Sequence, residues 1–238
     1  MLNTFWILML INMLGQSDRK EIKTLTCLVK EPKLIHAQTP VIILLHGLRS
    51  NEQDLFTLSN QLPEACIVVS ARAPIQLGDE QYAWYEVDLS TGKPVFNIQQ
   101  EQRSRNLLFK LIEELREVYK LKGNPVVLAG FSQGGILSYN CGIQKPEMFR
   151  GIGIFSGRLQ EEIRGGVTSK ALQKFPIFIA HGIQDNVLPI DYARDAKRWL
   201  QEHGAMVIYY EFNAGHTVTA LEIQHFNQWL DSLGAFKK

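Results

Sequence analysis

The sequence carries almost no excess charge. Lys and Arg number 25 against 24 Asp and Glu, a formal net charge of +1 over 238 residues. No polybasic field exists to gather nucleic acid or anionic lipid, so charge-driven partners of that kind are excluded. Cysteine is scarce as well. Cys27, Cys66 and Cys141 are widely spaced, with no Cys-x-x-Cys pair. This argues against a structural zinc site and against a disulfide framework. The three thiols read as small apolar residues of the interior. No apolar run reaches the ~20 residues that cross a bilayer, so no stable membrane span is expected. Internal repeats and low-complexity segments are missing too.

The N-terminus does have a short apolar run. Phe5-Trp6-Ile7-Leu8-Met9-Leu10-Ile11 is followed by Asn12 and then by Met13-Leu14. Its length suits the apolar part of a signal peptide. Met1 to Thr4 carries no Lys or Arg, however, and Gly15-Gln16-Ser17 is a poor cleavage site. Cytoplasmic and exported locations both stay open. Residues 1–18 are read as a hydrophobic extension that could serve as signal or anchor, and 19–238 as one domain.

From about Glu21 onward, strand-like and helix-like patterns alternate. Glu21 to Val29 alternates apolar and polar residues, as a half-exposed edge strand does. Val41 to Leu45 is a continuous branched apolar run, the mark of a strand covered on both faces. Cys66–Ser70, Val126–Gly130, Gly151–Phe155, Ile177–Ala180 and Met206–Glu211 read as further strands. Between Glu101 and Lys122, Leu107, Leu108, Leu111, Ile112, Leu115, Val118 and Tyr119 form one helical stripe. Gly123-Asn124-Pro125 is expected to stop that helix. Gln133–Gln144, Tyr192–His203 and Thr219–Leu230 are the other helices. This alternation predicts an α/β fold, a mainly parallel sheet with helices on both faces. Ligands of such sheets bind at the carboxyl ends of the strands.

Gly130-Phe131-Ser132-Gln133-Gly134 fits Gly-x-Ser-x-Gly, and it falls between a predicted strand and a predicted helix. A serine at that turn is strained and lifts its hydroxyl above the sheet. A serine hydroxyl needs a base. Chain order on this architecture is nucleophile, acid, histidine. Of six histidines, His203, His216 and His225 come late enough. His203 and His225 lie inside helical patterns, whereas His216 follows the last strand directly. Asp185, just after the strand Ile177–Ala180, is the expected acid, ahead of Asp191 and Asp195 near or in the next helix. The backbone N–H groups of Gln133 and Leu48 are expected to hold the oxyanion. The Gln133 amide side chain is expected to be dispensable, and His46 to support the loop that carries Leu48.

These segments resemble the phospholipase/carboxylesterase family of α/β-hydrolases, which includes bacterial carboxylesterases and acyl-protein thioesterases. The resemblance rests on Leu45-His46-Gly47, Ala83-Trp84-Tyr85, Gly130 to Gly135, His181 to Pro189 and Gly215-His216-Thr217, in family order. It implies hydrolysis of small-molecule or acyl esters, or thioesters, through an acyl-enzyme, with neither metal nor cofactor. It also implies that Trp84 and Tyr85 lie near the acyl pocket. Oligomeric state stays open, a dimer included. A lipase or serine peptidase on the same fold, and a non-catalytic ligand-binding protein, are the rival readings. The connection Ser156–Phe175 lacks the apolar stripe of a lid, and Ala71–Gln100 is rich in polar residues and turn formers such as Gly78-Asp79 and Thr91-Gly92, so no large cap domain is expected.

Overall fold

The computed structural model describes residues 21–88, 90, 94–123, 126–165 and 169–236. The expected N-terminal extension lies outside them. Strands β1 (Cys27–Lys30), β2 (Val41–Leu45) and β3 (Ile67–Ala71) come first. Two small hairpins follow, β4 (Ile75–Gly78) with β5 (Gln81–Ala83), and β6 (Val87–Asp88) with β7 (Val95–Phe96). Then come β8 (Val126–Phe131), β9 (Gly151–Phe155), β10 (Pro176–Gly182) and β11 (Met206–Phe212). The main sheet has seven strands in the order β1-β3-β2-β8-β9-β10-β11. Every neighbour pair is parallel except β1 with β3.

Central strands are apolar on both faces because both faces are covered. Val41, Ile43 and Leu45 of β2 pack on one side with Leu108, Leu111 and Leu115 of the helix Ile98–Tyr119. Ile42 and Leu44 face the other side, where Phe226 and Trp229 of the helix Ala220–Ser232 lie. Phe178 of β10 is fully buried among Phe155, Phe226 and Trp229, with ring centres 5.4–5.8 Å apart. Cutting such a ring back to alanine costs about 3–5 kcal/mol.

Two expectations are corrected. The edge strand begins at Cys27, not Glu21, because the Glu114 carboxylate takes the N–H groups of Lys23 (2.8 Å) and Thr24 (3.0 Å). The long helix ends at Tyr119, where Lys120 takes the left-handed conformation (φ 52°) that glycine usually supplies. The connection after β3 holds the two hairpins. The connection after β9 holds two short helices, Glu161–Arg164 and Ser169–Leu172. No large cap is formed by the described residues, and none of their helices is long and apolar enough to cross a membrane. Cys66 and Cys141 are buried and Cys27 half-buried, all free thiols. Burial pushes the Cys27 and Cys66 thiols up to about 12, which keeps them protonated and inert.

Candidate active site

β8 delivers its last residues to the carboxyl edge of the sheet, and the chain turns there into the helix Gln133–Gln144. Ser132 occupies the turn at φ 53°, ψ −117°, a strained conformation for a residue with a side chain. The turn is possible because its flanks are glycine. A Cβ on Gly130 would stand 2.3 Å from the Gly134 backbone, and one on Gly134 would stand 2.1 Å from the Leu45 carbonyl oxygen. Ser132 does not cap the helix with its side chain. Its Oγ lies 2.8 Å from His216 Nε2 instead.

His216 comes from the loop after β11. That loop is closed by a reciprocal cap in which Thr219 Oγ1 accepts from Glu222 N–H (3.2 Å) and Glu222 Oε2 accepts from Thr219 N–H (2.5 Å). The Phe131 ring packs on the imidazole with centres 4.8 Å apart. On the far side, His216 Nδ1 lies 2.7 Å from Asp185 Oδ2. A carboxylate only accepts, so Nδ1 carries the proton and Nε2 is free to accept from the serine hydroxyl.

Asp185 sits in the loop after β10. Its other oxygen accepts from the N–H groups of Val187 (2.9 Å) and Leu188 (2.8 Å). Burial pushes the Asp185 carboxyl up, but His216 and the two N–H groups outweigh it and hold the carboxyl below its ordinary value. The rivals are occupied elsewhere. Asp191 is exposed at a helix start, and Asp195 pairs with Arg164 and Arg198. His203 bonds its own helix at the Trp199 carbonyl (2.7 Å), and His225 packs against Tyr210. His181, fully buried, donates from Nε2 to the Leu188 carbonyl (2.7 Å) and so braces the Asp185 loop. Burial lowers its tendency to protonate.

The loop after β2 brings Leu48 to the same edge. Leu48 N–H and Gln133 N–H have no hydrogen-bond acceptor among the described residues. His46 is fully buried in this loop. It donates from Nδ1 to the Gly47 carbonyl (2.7 Å) and accepts at Nε2 from Ala73 N–H (3.0 Å). Burial holds it neutral.

Trp84 and Tyr85 part company. Tyr85 lines a cavity of about 750 Å³ together with Ser132, Leu48, Phe96, Leu188 and Tyr192. Trp84 is not part of that wall. Its indole is fully buried and donates Nε1–H to the His46 carbonyl (3.0 Å), so a side chain expected at the substrate supports the Leu48 loop instead. The Gln133 side chain was undervalued by the sequence pattern. Its Oε1 accepts from Trp84 N–H (2.9 Å) and its Nε2 donates to the Tyr85 carbonyl (2.7 Å). No local pattern signals this contact, because the partners lie 48 and 49 residues apart. Among the described residues, no three His, Cys, Asp or Glu side chains converge to hold a metal ion.

The sheet order, the strained turn at Ser132 and the loops that converge on it define an α/β-hydrolase. The phospholipase/carboxylesterase family model matches residues 28–233, and the chain belongs to that family. It is a carboxylic ester hydrolase. Among curated relatives, acyl-protein thioesterase 1 of Emericella nidulans is 26% identical over 220 residues, 81% of this chain and 90% of that protein. Acyl-protein thioesterase 1 of Mycosarcoma maydis is 26% identical over 210 residues, 78% and 85% of the two chains. Among solved structures, a Bacillus cereus carboxylesterase superposes with a TM-score of 0.75 at 23% identity, covering 93% of this chain and 99% of that one, a likeness of fold.

Proposed function

We propose that Ser132, His216 and Asp185 form a catalytic triad that hydrolyses carboxylic esters and thioesters through an acyl-enzyme. In the first step His216 Nε2 takes the Ser132 hydroxyl proton as Oγ attacks the acyl carbon. The carbonyl oxygen becomes an oxyanion, held by the N–H groups of Leu48 and Gln133. The tetrahedral intermediate collapses, and His216 returns the proton to the departing alcohol or thiol. Water then repeats the sequence and releases the acid. Asp185 keeps Nδ1 protonated and stabilises the imidazolium. The observation that carries this reading is the unbroken chain from Ser132 Oγ to His216 Nε2 (2.8 Å) and from His216 Nδ1 to Asp185 Oδ2 (2.7 Å).

Thioesters belong to the proposal because leaving thiol and leaving alcohol meet the same groups, and because relatives carry the name acyl-protein thioesterase. The test is hydrolysis of p-nitrophenyl butyrate and of an S-butyryl cysteine peptide. Both are expected to turn over, to stop after treatment with a sulfonyl fluoride and to continue in EDTA. Turnover that survives the sulfonyl fluoride or ceases in EDTA would contradict the mechanism.

A further inference from the structure

One shielded cation in the cavity beside Ser132 has no paired anion among the described residues. Arg158 follows β9 at the carboxyl edge of the sheet and lines the same cavity as Ser132. Its guanidinium carbon stands 4.7 Å from the centre of the Phe96 ring and 5.2 Å from that of Tyr192. Aromatic rings attract a guanidinium but offer no carboxylate, so they fix its place and leave its hydrogen-bonding capacity open. Arg158 is only partly exposed, and its Nε is buried with no hydrogen-bond partner. No carboxylate among the described residues pairs with it. The other shielded arginines are placed differently. Arg72 faces Glu52, Arg105 faces Glu101, Arg116 faces Glu113 and Arg164 faces Asp195.

The charged neighbours do not fill the gap. Glu86 and Asp88 also line the cavity, but both are exposed. Glu86 Oε2 accepts from the Gln100 amide (3.0 Å) and Asp88 Oδ1 from Ser90 N–H (2.8 Å). Arg49, the second cation of the wall, is exposed and solvated. A shielded guanidinium held in place, without its own counter-ion, matches the fork geometry of a carboxylate. The two rim carboxylates repel a phosphate dianion more than a singly charged group, which favours a carboxylate as the occupant.

We propose that Arg158 anchors the substrate, and that the preferred substrates are esters or thioesters bearing a free carboxylate remote from the scissile bond. This deepens the Ser132 reading and rests on it. The carboxylate can sit on the acyl half or on the alcohol half of the substrate. One experimental arm addresses each. The acyl arm compares monoethyl half-esters of succinate, glutarate and adipate with their neutral primary amides. The alcohol arm compares O-butyryl glycolate with O-butyryl glycolamide. In one arm, kcat/KM is expected to favour the anion by at least about tenfold, and Arg158→Met to bring that preference down to about one. Arg158→Lys should restore part of it.

Labelling of Ser132 by a fluorophosphonate reports whether each variant is folded. Competitive inhibition of wild type by glutarate, and not by glutaramide, is a second readout that needs no variant. Anion-to-neutral ratios near one in both arms, with glutarate no better an inhibitor than glutaramide, would overturn the proposal and leave the Ser132 reading intact. An unchanged preference in an Arg158→Met enzyme that still labels would do the same. Failure of wild type to label or to hydrolyse any of these esters would instead remove the Ser132 reading, and the anchor with it.

Discussion

His216 Nδ1 stands 2.7 Å from Asp185 Oδ2, and the second oxygen of that carboxylate is already held by the N–H groups of Val187 and Leu188. Three bonds fix the carboxylate, so it can orient the imidazole without moving. Asp185→Asn would present an amide donor or a weaker acceptor to Nδ1 and favour the wrong tautomer. The expected loss in kcat is up to about 10⁴. Asp191→Asn, at an exposed helix start, should change kcat little. A kcat comparison of the two variants decides it: if Asp191→Asn is the damaging change, the acid has been misassigned.

Gln133 has two separate duties. Its N–H is a proposed oxyanion donor, and its side chain clamps Trp84 N–H and the Tyr85 carbonyl. The expectation from the motif, that the side chain is dispensable, does not fit this clamp. Gln133→Ala would strand two buried backbone groups at about 1–3 kcal/mol each, so a stability loss of about 2–6 kcal/mol is expected. Activity should fall by more than about tenfold, since displacing Tyr85 reshapes the cavity. Urea unfolding and kcat/KM together check this. A variant as stable and as active as wild type would refute the clamp.

Two buried histidines make stability depend on pH. Burial is the largest influence on both His46 and His181, and it lowers each from the ordinary value of 6.5. A histidine that is harder to protonate when folded contributes stability above its unfolded value, lost as pH falls toward its folded value. Below about pH 6.5 the unfolded chain binds protons that the native state refuses, at up to about 1.4 kcal/mol per pH unit for each ring. The urea midpoint should therefore drop between about pH 7.5 and about pH 5.5. NMR titration of the rings should show each protonating at lower pH in the folded protein than an ordinary histidine does. Protonation of either in the folded state near its ordinary value would contradict the burial argument.

How much of this was legible beforehand depended on whether neighbours in sequence set the outcome. β2, β9 and the helix Gln133–Gln144 stand at the ends the sequence predicts, because unbroken apolar runs and a glycine-flanked turn mark them locally. Ser132, Asp185 and His216, selected by chain order, are the side chains that meet in space. The hairpins after β3 were not legible, since strands of two to four mixed residues carry no clear period. Lys120 in a left-handed cap defeats the glycine rule. The Trp84 indole and the Gln133 amide depend on contacts across 38 to 49 residues, beyond any local pattern.

The walls of the cavity come from the segments around Tyr85 and Phe96 and from the loop around Leu188, with no cap among the described residues. Substrate should therefore enter from water without a lid having to move. Rate against concentration for a short-chain ester is expected to saturate simply through its solubility limit. A jump as an emulsion forms would show a mobile gate of the lipase kind.

The central claim is that Ser132 is the nucleophile, and an active-site phosphonylation experiment tests it most directly. Wild type treated with a fluorophosphonate should gain one adduct, located by peptide mass mapping on the segment that carries Ser132. His216→Ala should slow the labelling severely, because the hydroxyl loses its base. Ser132→Ala should take no label and lose about 10⁶ in kcat while keeping its fold. Labelling at a different serine, or a folded Ser132→Ala enzyme within about tenfold of wild-type activity, would contradict the account.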